Sequence, residues 1–237
     1  EVAARVYFTE TGVAEKHEQH LAFSIPKRTT NRTAFEKRLP PENFLEFLNH
    51  FESPEMEIDY VHEKSAREQL ADITLNALIY AMDDRNFRSE LSRYLRSNVT
   101  SEKVGMPGYS FGIQLPVSFF ANRLVRRINV NRLQKKQDEK VLKEGTPAFV
   151  VISSREDTKL SWLKAGQTFE RIALEAKRLG MEASPLAAAI EIGNFHKDLQ
   201  GALATAFRPH VFFRVGYATK NARITPRMAA HEVTKLH

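Results

Sequence analysis

Residues 158–185 read TKLSWLKAGQTFERIALEAKRLGMEASP, and this stretch holds the most regular hydrophobic period in the chain. Its apolar residues recur every three or four positions, which is typical of one face of an α-helix. The residues of this face are Trp162, Ala165, Phe169, Ile172, Ala173, Ala176 and Leu179. Gly180 follows directly, where a left-handed residue commonly ends a helix. The pattern predicts a long amphipathic helix over residues 158–179.

Segments on either side of this helix are typical of strands. Residues 148–153 (AFVVIS) form a short apolar run, and residues 211–217 place Val, Phe, Val and Tyr at alternate positions. Residues 3–8 (AARVYF) are compatible with a further short strand. Because these segments are not adjacent and the rest is mostly helical, the order predicts an α+β fold.

Helical spacing recurs in several other parts of the chain. The predicted helices cover residues 13–23, 42–51, 65–82, 86–96 and 194–206, with another that begins at Val117 and continues into a basic segment. Residues 104–116 (VGMPGYSFGIQLP) hold three of the ten glycines and two of the ten prolines, so they are predicted to form a loop. This loop is either a lid over a site or a plain surface loop.

Composition excludes several classes of function. The 237 residues contain no cysteine, which excludes disulfides, cysteine-ligated metals and a thiol nucleophile. No stretch approaches the roughly 20 apolar residues of a membrane-spanning helix, so no membrane association is expected. The chain begins with Glu1 rather than Met, so the earlier removal of an N-terminal segment is left open. A cytoplasmic location is expected, with an exported form left open.

Positive charge is concentrated in one segment. The chain carries 35 Lys and Arg against 29 Asp and Glu, a net charge of +6, and residues 123–143 contain eight of those cations and two of the acids. The segment is either a solvated helix face or a polyanion site. No aromatic residue lies within it to stack on bases, so a nucleic-acid partner is not favoured.

Common catalytic motifs are not found in the sequence. There is no phosphate-binding GxGxxG or GxxxxGK[ST], no GxSxG and no HExxH. His17 and His20 are favoured as surface residues over metal ligands, because no third ligand is evident. A basic cluster, KRTTNR at 27–32, offers two arginines four residues apart and threonine hydroxyls that suit a phosphate group. The alternative for this cluster is a solvated turn.

Three blocks of sequence together resemble the nitroreductase superfamily. They are RTTNRTAFEKRLPPENFLEFL from residue 28, WLKAGQTFERIALEAKRLGMEASPL from residue 162 and FFRVGYATKNARITPR from residue 212. The order of the blocks matches that of the superfamily, and the WLKAGQ form is most similar to its divergent Acg-type branch. Some members of that branch are thought to bind flavin without being competent nitroreductases.

The resemblance implies a central, mostly antiparallel or mixed sheet wrapped by helices, in an intertwined homodimer with FMN at the subunit interface. It also implies a single FMN-binding domain over residues 1–237. The residues that match FMN-phosphate and ribityl contacts are Arg28, Thr29, Thr30, Arg32 and, late in the chain, Arg227. The residues that match the segment along the isoalloxazine ring are Pro185, Leu186, Ala187 and Ala188. Apart from the resemblance, this Ala-rich stretch is equally compatible with a packed core turn.

The chain departs from the family pattern in two places. The Asn-x-Gln-Pro-Trp-like pocket stretch is not found, and residues 52–63 and 104–116 occupy that part of the chain. A Glu-Gly pair common in the family is replaced by Ala187-Ala188.

The resemblance implies an FMN-dependent oxidoreductase that passes electrons from NADPH or NADH, in a ping-pong cycle, to a nitroaromatic, quinone or similar small-molecule acceptor. The flavin would carry the chemistry, so no catalytic side chain and no metal is expected. The alternative is a flavin-binding or flavin-sequestering protein with a lidded site and little or no turnover. A nucleic-acid-associated protein that uses residues 123–143 is a third, less favoured hypothesis.

Overall fold

The computed structural model describes Gly12 and residues 15–234. The predicted strand at residues 3–8 lies outside the described residues, as does the beginning of the helix predicted at 13–23. The α-helices are α1 (Lys16–Ser24), α2 (Glu42–Asn49), α3 (Lys64–Asp83), α4 (Arg85–Tyr94), α5 (Leu115–Ser118), α6 (Ala121–Arg127), α7 (Asn131–Glu139), α8 (Lys159–Arg178), α9 (Ala188–Glu191), α10 (Phe195–Leu203) and α11 (Ala230–Val233). The strands are β1 (Met56–Val61), β2 (Leu95–Arg96), β3 (Met106–Pro107), β4 (Ala148–Ser154), β5 (Glu182–Pro185) and β6 (Arg208–Gly216). Short 3₁₀ turns cover Ile25–Lys27 and Gly108–Phe111, and a π-helical turn covers Lys140–Glu144.

A four-stranded antiparallel sheet forms the centre of the molecule. Its strand order is β1-β4-β6-β5, so β4 and β6 are interior and β1 and β5 lie at the edges. In the register, Val150 of β4 faces Tyr60 of β1 on one side and Phe213 of β6 on the other. A separate two-stranded parallel pair joins β2 to β3.

Both faces of the sheet are covered by helices, which explains why β4 is apolar along its whole length. Val150 and Ile152 face a core shared with α2 and α8. Phe149 and Val151 face the opposite core, which α3, α9 and α10 complete. A strand buried on both faces reads as a continuous apolar run because each side of it meets a core. The α+β class predicted from the sequence is confirmed, with an antiparallel sheet between helical layers.

Helix α8 confirms the element predicted from residues 158–179, except at its first turn. Ile172 and Ala176 are buried, and Gly180 has a φ of +77° after the helix end, as predicted. Trp162, placed on the buried face from its spacing, is 52% exposed and donates from Nε1 to Asp157 at 2.6 Å. The helical period of α8 therefore continues through its first turn, although the apolar residues of that turn are exposed.

Residues 115–144 differ from the single helix predicted to begin at Val117. The segment is broken into α5, α6, α7 and the π-helical turn, and Ile128 is 53% exposed. Ala121 and Val125 are the residues that α6 buries. Val125 joins a third, smaller apolar cluster with Met82, Leu95 and Val130, against which Phe87, Leu91 and Phe111 pack. The spacing of the larger apolar residues therefore selected the wrong face of this helix.

Strand β1 was not predicted from the sequence. Residues 56–61 (MEIDYV) lie in an acid-rich segment, and Glu57 and Asp59 interrupt the apolar run. Met56 and Ile58 nevertheless alternate into the core, as expected for an edge strand with one buried face. Among the described residues, no helix is both long enough and apolar enough to cross a membrane.

Candidate cofactor site

The loop from Arg28 to Thr33, here called the Arg28–Thr33 loop, is held in place by a buried asparagine. The Asn31 side chain is fully buried. Its Nδ2 donates to the carbonyl of Lys220 at 2.8 Å, while its Oδ1 accepts from the amide and the hydroxyl of Thr33 at 3.0 and 2.7 Å. Asn31 therefore fixes the turn and also attaches it to the C-terminal segment.

A buried arginine of β6 supports the same loop from below. Arg214 is 2% exposed, and its Nη2 donates to the carbonyls of Asn31 and Thr33, each at 3.2 Å. The same Nη2 lies 3.4 Å from Oγ of Ser184 in β5. One guanidinium thus joins the loop to the edge strand that carries Pro185.

The environment of Arg214 is unfavourable to its charge. Burial, to which the neighbouring charge of Arg32 adds, lowers the pKa of Arg214 to about 10, and Asp138 opposes this change. Arg214 Nε has no hydrogen-bond partner among the described residues. Burial also raises the pKa of Asp138, so this carboxyl group is itself poorly solvated. Two guanidinium groups are therefore brought together with little negative charge nearby.

Arg32 is the second of these cations. Its guanidinium carbon lies 4.9 Å from the centre of the Phe111 ring, and burial lowers its pKa. No side-chain hydrogen bond or ion pair joins Arg32 to the part of the chain that is described. Arg32 is exposed as a residue, but its charge is partly desolvated, and an anion that binds there would stabilise it. The Arg28–Thr33 loop is therefore suited to an anionic group.

The structure brings the other residues predicted for phosphate binding to this loop. Arg227 donates from Nη2 to the carbonyl of Arg28 at 2.5 Å and from Nη1 to that of Ile25 at 3.0 Å. Arg28 pairs with Glu170 of α8 at 2.9 Å, and its side chain remains 30% exposed. These contacts place the two arginines that are far apart in sequence on one surface.

The two predicted threonines differ in their contacts. Thr29 donates from its hydroxyl to Glu182 at 3.2 Å, so this hydroxyl is already used within the protein. Lys177 approaches the same carboxylate at 2.5 Å. The Thr30 hydroxyl makes no hydrogen bond to any residue described, and it remains available to a ligand.

The segment Pro185, Leu186, Ala187 and Ala188 begins at the end of an edge strand, beside the loop. Only Pro185 belongs to a strand, because β5 ends at Pro185 and α9 begins at Ala188. Leu186 donates its amide to Phe212 at 2.8 Å, after which the chain turns away from β6. Outside the helices and strands described, no backbone hydrogen bond uses the Ala187 amide, and a first helical residue such as Ala188 has no intrahelical acceptor. Two amide donors are therefore free at the edge of the sheet.

Residues 104–116 reach the Arg28–Thr33 loop through Phe111. The prediction that this segment is a loop is wrong in part, because β3, a 3₁₀ turn and the beginning of α5 lie in it. Gly112 ends the 3₁₀ turn with a φ of +70°, and Asn98 holds the next residue by donating to the carbonyl of Ile113 at 2.8 Å. The segment is therefore ordered by its own hydrogen bonds and places an aromatic ring against Arg32.

Sequence reasoning missed three residues of the site. Asn31 and Arg214 were not selected, although a single arginine within the apolar strand FFRVG was a usable signal, since a charge on a buried strand needs partners. Asp138 was not selected because it lies in the basic segment 123–143, where the sequence gives no sign of a buried carboxylate. No group of three or more His, Asp or Glu side chains among the described residues is arranged to hold a metal ion.

Comparison with known proteins identifies the fold. No protein-family model matches the sequence and no curated protein sequence matches it, so the likeness is one of structure. The FMN-dependent nitroreductase NfnB from Mycobacterium smegmatis, solved in complex with NADPH, superimposes with a TM-score of 0.58 at 17% identity, covering 93% of this chain and 99% of that one.

Two further solved structures extend this likeness. Nitroreductase A from Vibrio parahaemolyticus has a TM-score of 0.55 at 12% identity, covering 92% of this chain and 75% of that one. Iodotyrosine deiodinase bound to FMN and 3-iodo-L-tyrosine has a TM-score of 0.51 at 16% identity, covering 89% and 96%. A central antiparallel sheet between helical layers, shared with these proteins over almost the whole chain, gives this protein a nitroreductase-like fold.

Proposed function

We propose that the protein is an FMN-dependent oxidoreductase that takes electrons from NADPH or NADH and passes them to a small-molecule acceptor. The observation that carries this proposal is a pair of neighbouring cations, the exposed Arg32 and the buried Arg214. Arg32 forms no ion pair with any described residue, and the unused backbone amides of Ala187 and Ala188 follow the strand that Arg214 contacts through Ser184. A flavin mononucleotide has one phosphate and one polar ring edge, and these groups would complete the two sets of donors. The nitroreductases of similar fold are described as FMN- and NADPH-dependent, which supports the assignment.

In this proposal the Arg28–Thr33 loop binds the phosphate. Arg32 would supply the main charge, because it has no other partner, and the free Thr30 hydroxyl would donate to a phosphate oxygen. Arg28, although paired with Glu170, would donate to the phosphate from the nitrogens that this pair leaves unused. Arg227 would stabilise the loop through its hydrogen bonds to the carbonyls of Ile25 and Arg28. Thr29 would position the loop through Glu182.

The segment from Pro185 to Ala188 would lie along the flavin ring. The bound flavin supplies hydride transfer, so the protein has only to orient the ring and tune its electronic character. The amides of Ala187 and Ala188 would donate to the polar edge of the ring, and the absence of larger side chains there would allow close approach. No general acid or base of this chain is required.

A second candidate is a protein that binds flavin with little or no turnover. Phe111 favours it, because this residue brings the ordered segment 104–116 directly against Arg32 and so covers one side of the site. The lack of the Asn-x-Gln-Pro-Trp-like pocket stretch in this sequence also supports a flavin-binding protein with little turnover. In this second proposal, the protein belongs to the Acg-type branch of the superfamily.

We also propose an assembly and a cellular location for the protein. It is a single domain over residues 1–237 that forms an intertwined homodimer in the cytoplasm, with a nitroaromatic, a quinone or a similar compound as the acceptor. The deiodinase of similar fold, which was solved with an iodinated tyrosine, supports including other substituted aromatic compounds.

The first experiment is a visible absorption spectrum of the purified protein, before and after anaerobic addition of NADPH. A flavin band that disappears on NADPH addition supports the oxidoreductase. A band that persists through NADPH and NADH but disappears with dithionite supports the flavin-binding protein. A protein that remains colourless after incubation with FMN contradicts both proposals.

A further inference from the structure

A second set of arginines lines a cleft beside helices α4 and α6. The cleft has a volume of about 700 Å³, and its lining includes Arg85, Arg88, Arg123, Arg126 and Arg127. Asn86 and Ser89 are its other lining residues, so no carboxylate faces it. This set is here called the arginine cleft.

The spacing of these residues explains how two short helices form one charged surface. Arg85, Arg88 and Ser89 on α4 are related as i, i+3 and i+4, which places them on one side of the helix. Arg123, Arg126 and Arg127 repeat the same spacing on α6. The apolar side of each helix, with Phe87 on α4 and Val125 on α6, faces the third apolar cluster instead.

The charges in the arginine cleft are not balanced within the protein. None of the five arginines forms an ion pair with a carboxylate in residues 15–234. The two acids that precede α4 have other partners, because Asp83 accepts from Asn129 at 2.5 Å and Asp84 caps α4 through the Asn86 amide at 2.7 Å. Glu90, two residues after Arg88, does not line the cleft. Five like charges around one cleft repel one another and attract an anion.

Arg88 is the most constrained of the five. Its Nη1 donates to the carbonyls of Met82 and Asp83 at 2.6 and 3.0 Å, which fixes the guanidinium. Its Nε is buried and has no partner among the residues described. A guanidinium that is already held in place can bind an acceptor with its remaining donors at small additional entropic cost.

The arginine cleft is separate from the Arg28–Thr33 loop. Phe111 packs on the third apolar cluster and contacts Arg32, whereas the cleft residues lie on the outward sides of α4 and α6. The third apolar cluster, which contains Val125 and Leu95, therefore separates the arginines of the cleft from Arg32. A phosphate bound at the Arg28–Thr33 loop does not neutralise the cleft.

We infer that the arginine cleft binds a compact anion with two or more linked phosphate groups, such as the phosphate chain of a nucleoside triphosphate. Each guanidinium can donate in parallel to two phosphate oxygens, and five of them exceed what one phosphate group can use. The volume lies in the range of small-molecule sites, roughly 300–1,000 Å³. The lining has no aromatic ring on which the bases of a nucleic acid would stack.

The test is calorimetric titration of the full chain with inorganic tripolyphosphate in the presence of excess FMN, which keeps the flavin site filled. The test variant is Arg123→Gln/Arg127→Gln, and the matched control is Lys135→Gln/Lys136→Gln, which removes the same charge from exposed positions of α7 outside the cleft. Losing two charge-assisted contacts should weaken binding by about tenfold or more in the first pair and by less than about twofold in the second. Circular dichroism checks that both variants are folded.

The results separate the alternatives. Equal affinity for tripolyphosphate and ATP assigns the site to a phosphate chain alone, and tighter binding of ATP assigns it to a nucleotide. The inference is overturned if tripolyphosphate does not bind, if both variants weaken it equally, or if FMN competes with it. It is also overturned if a single-stranded oligonucleotide binds far more tightly than tripolyphosphate, which would indicate an extended nucleic-acid surface. The readout is independent of turnover, so it stands or fails separately from the proposed redox function.

Discussion

At the residue scale, Arg32 should be more important for ligand binding than for folding. Arg32 is exposed, lies near Arg214 without a counter-ion among the described residues, and packs its guanidinium on the Phe111 ring. We expect Arg32→Gln to weaken FMN binding by about tenfold or more, because a charge-assisted contact to phosphate is lost. The unfolding free energy of the apoprotein should change by less than about 1 kcal/mol, since a cation–π contact of this kind is worth no more.

Fluorescence titration with FMN and urea unfolding of the apoprotein check this prediction. Arg155→Gln is the matched control, because Arg155 also lies over a ring, that of Phe207, at 5.5 Å. Unchanged FMN affinity in Arg32→Gln, or an equal loss in Arg155→Gln, would contradict the assignment of the phosphate site.

Arg214, in contrast to Arg32, should be more important for folding than for ligand binding. Replacing it with leucine leaves the carbonyls of Asn31 and Thr33 buried without a donor, which is expected to lower the free energy of unfolding by roughly 2–4 kcal/mol. Arg208→Leu on the same strand is the control, because its ion pair with Asp157 is long, at 3.8 Å, and should cost less than about 1 kcal/mol. Urea unfolding at pH 7 measures both. Similar losses in the two variants would show that Arg214 has no special role under the loop.

Asp59 should make the fold less stable as the pH rises. Burial, with the charges of Glu57 and Glu52 adding to it, raises the pKa of Asp59 from 3.8 to about 6. Because the folded state holds this proton more tightly than the unfolded state, the stability it provides is present below about pH 4 and is lost as the pH rises through 6. The expected result is that Asp59→Asn raises the urea midpoint at pH 7.5 more than at pH 4.5.

The control for Asp59 is Glu63→Gln, at a side chain that is 80% exposed. This change should shift the midpoints at the two pH values by similar small amounts. A gain in Asp59→Asn that is the same at pH 4.5 and 7.5 would mean that the carboxyl group is not protonated in the folded protein.

At the element scale, the hydrophobic period predicted helices and strands well where the element packs against the central core. Strand β4 and helix α8, apart from Trp162 at its first turn, bury the residues that their patterns selected, because both pack at the central sheet. Strand β1 was missed because Glu57 and Asp59 interrupt its apolar run, and acidic residues are unfavourable in strands. The segment after Val117 was misjudged because its large apolar residues are exposed and the smaller Ala121 and Val125 are buried.

The C-terminal turn of α8 offers a test at this scale. Gly180 has a φ of +77°, which side-chain-bearing residues rarely adopt, so Gly180→Ala should lower the unfolding free energy by about 1 kcal/mol. Gly201 in α10 is helical, and a Cβ added there meets nothing within 4 Å. Gly201→Ala should therefore stabilise the protein by roughly 0.5–1 kcal/mol. Thermal unfolding of the two variants should move in opposite directions, and a shift of the same sign would contradict the prediction.

At the scale of the whole molecule, the candidate site depends on contacts that no local pattern can disclose. Asn31 is joined to Lys220 and Arg227 to Arg28, so the site forms only when the two ends of the chain meet. The family resemblance selected Arg227 from a motif, whereas Arg214 and Asp138 required the packed structure. Local spacing gives the faces of elements, but it does not show which distant polar group will satisfy a buried charge.

The exposed apolar residues at the beginning of α8 bear on the proposed dimer. Leu160, Trp162 and Leu163 are 61%, 52% and 60% exposed, and such a group on one turn is typical of a surface covered by another protein. We expect Leu160→Glu/Leu163→Glu to convert the dimer to a monomer, because two charges would be buried in the interface. Sedimentation velocity at micromolar concentration measures the change.

The double variant also tests whether the flavin site is shared between subunits. If FMN lies at the interface, the monomer should lose FMN affinity by about tenfold or more, although no residue of the Arg28–Thr33 loop is altered. The matched control is Phe119→Glu/Phe120→Glu, since these residues are 53% and 61% exposed and lie between α5 and α6. A monomeric variant that keeps full FMN affinity would place the whole site within one chain, and a wild-type monomer would remove the dimer from the proposal.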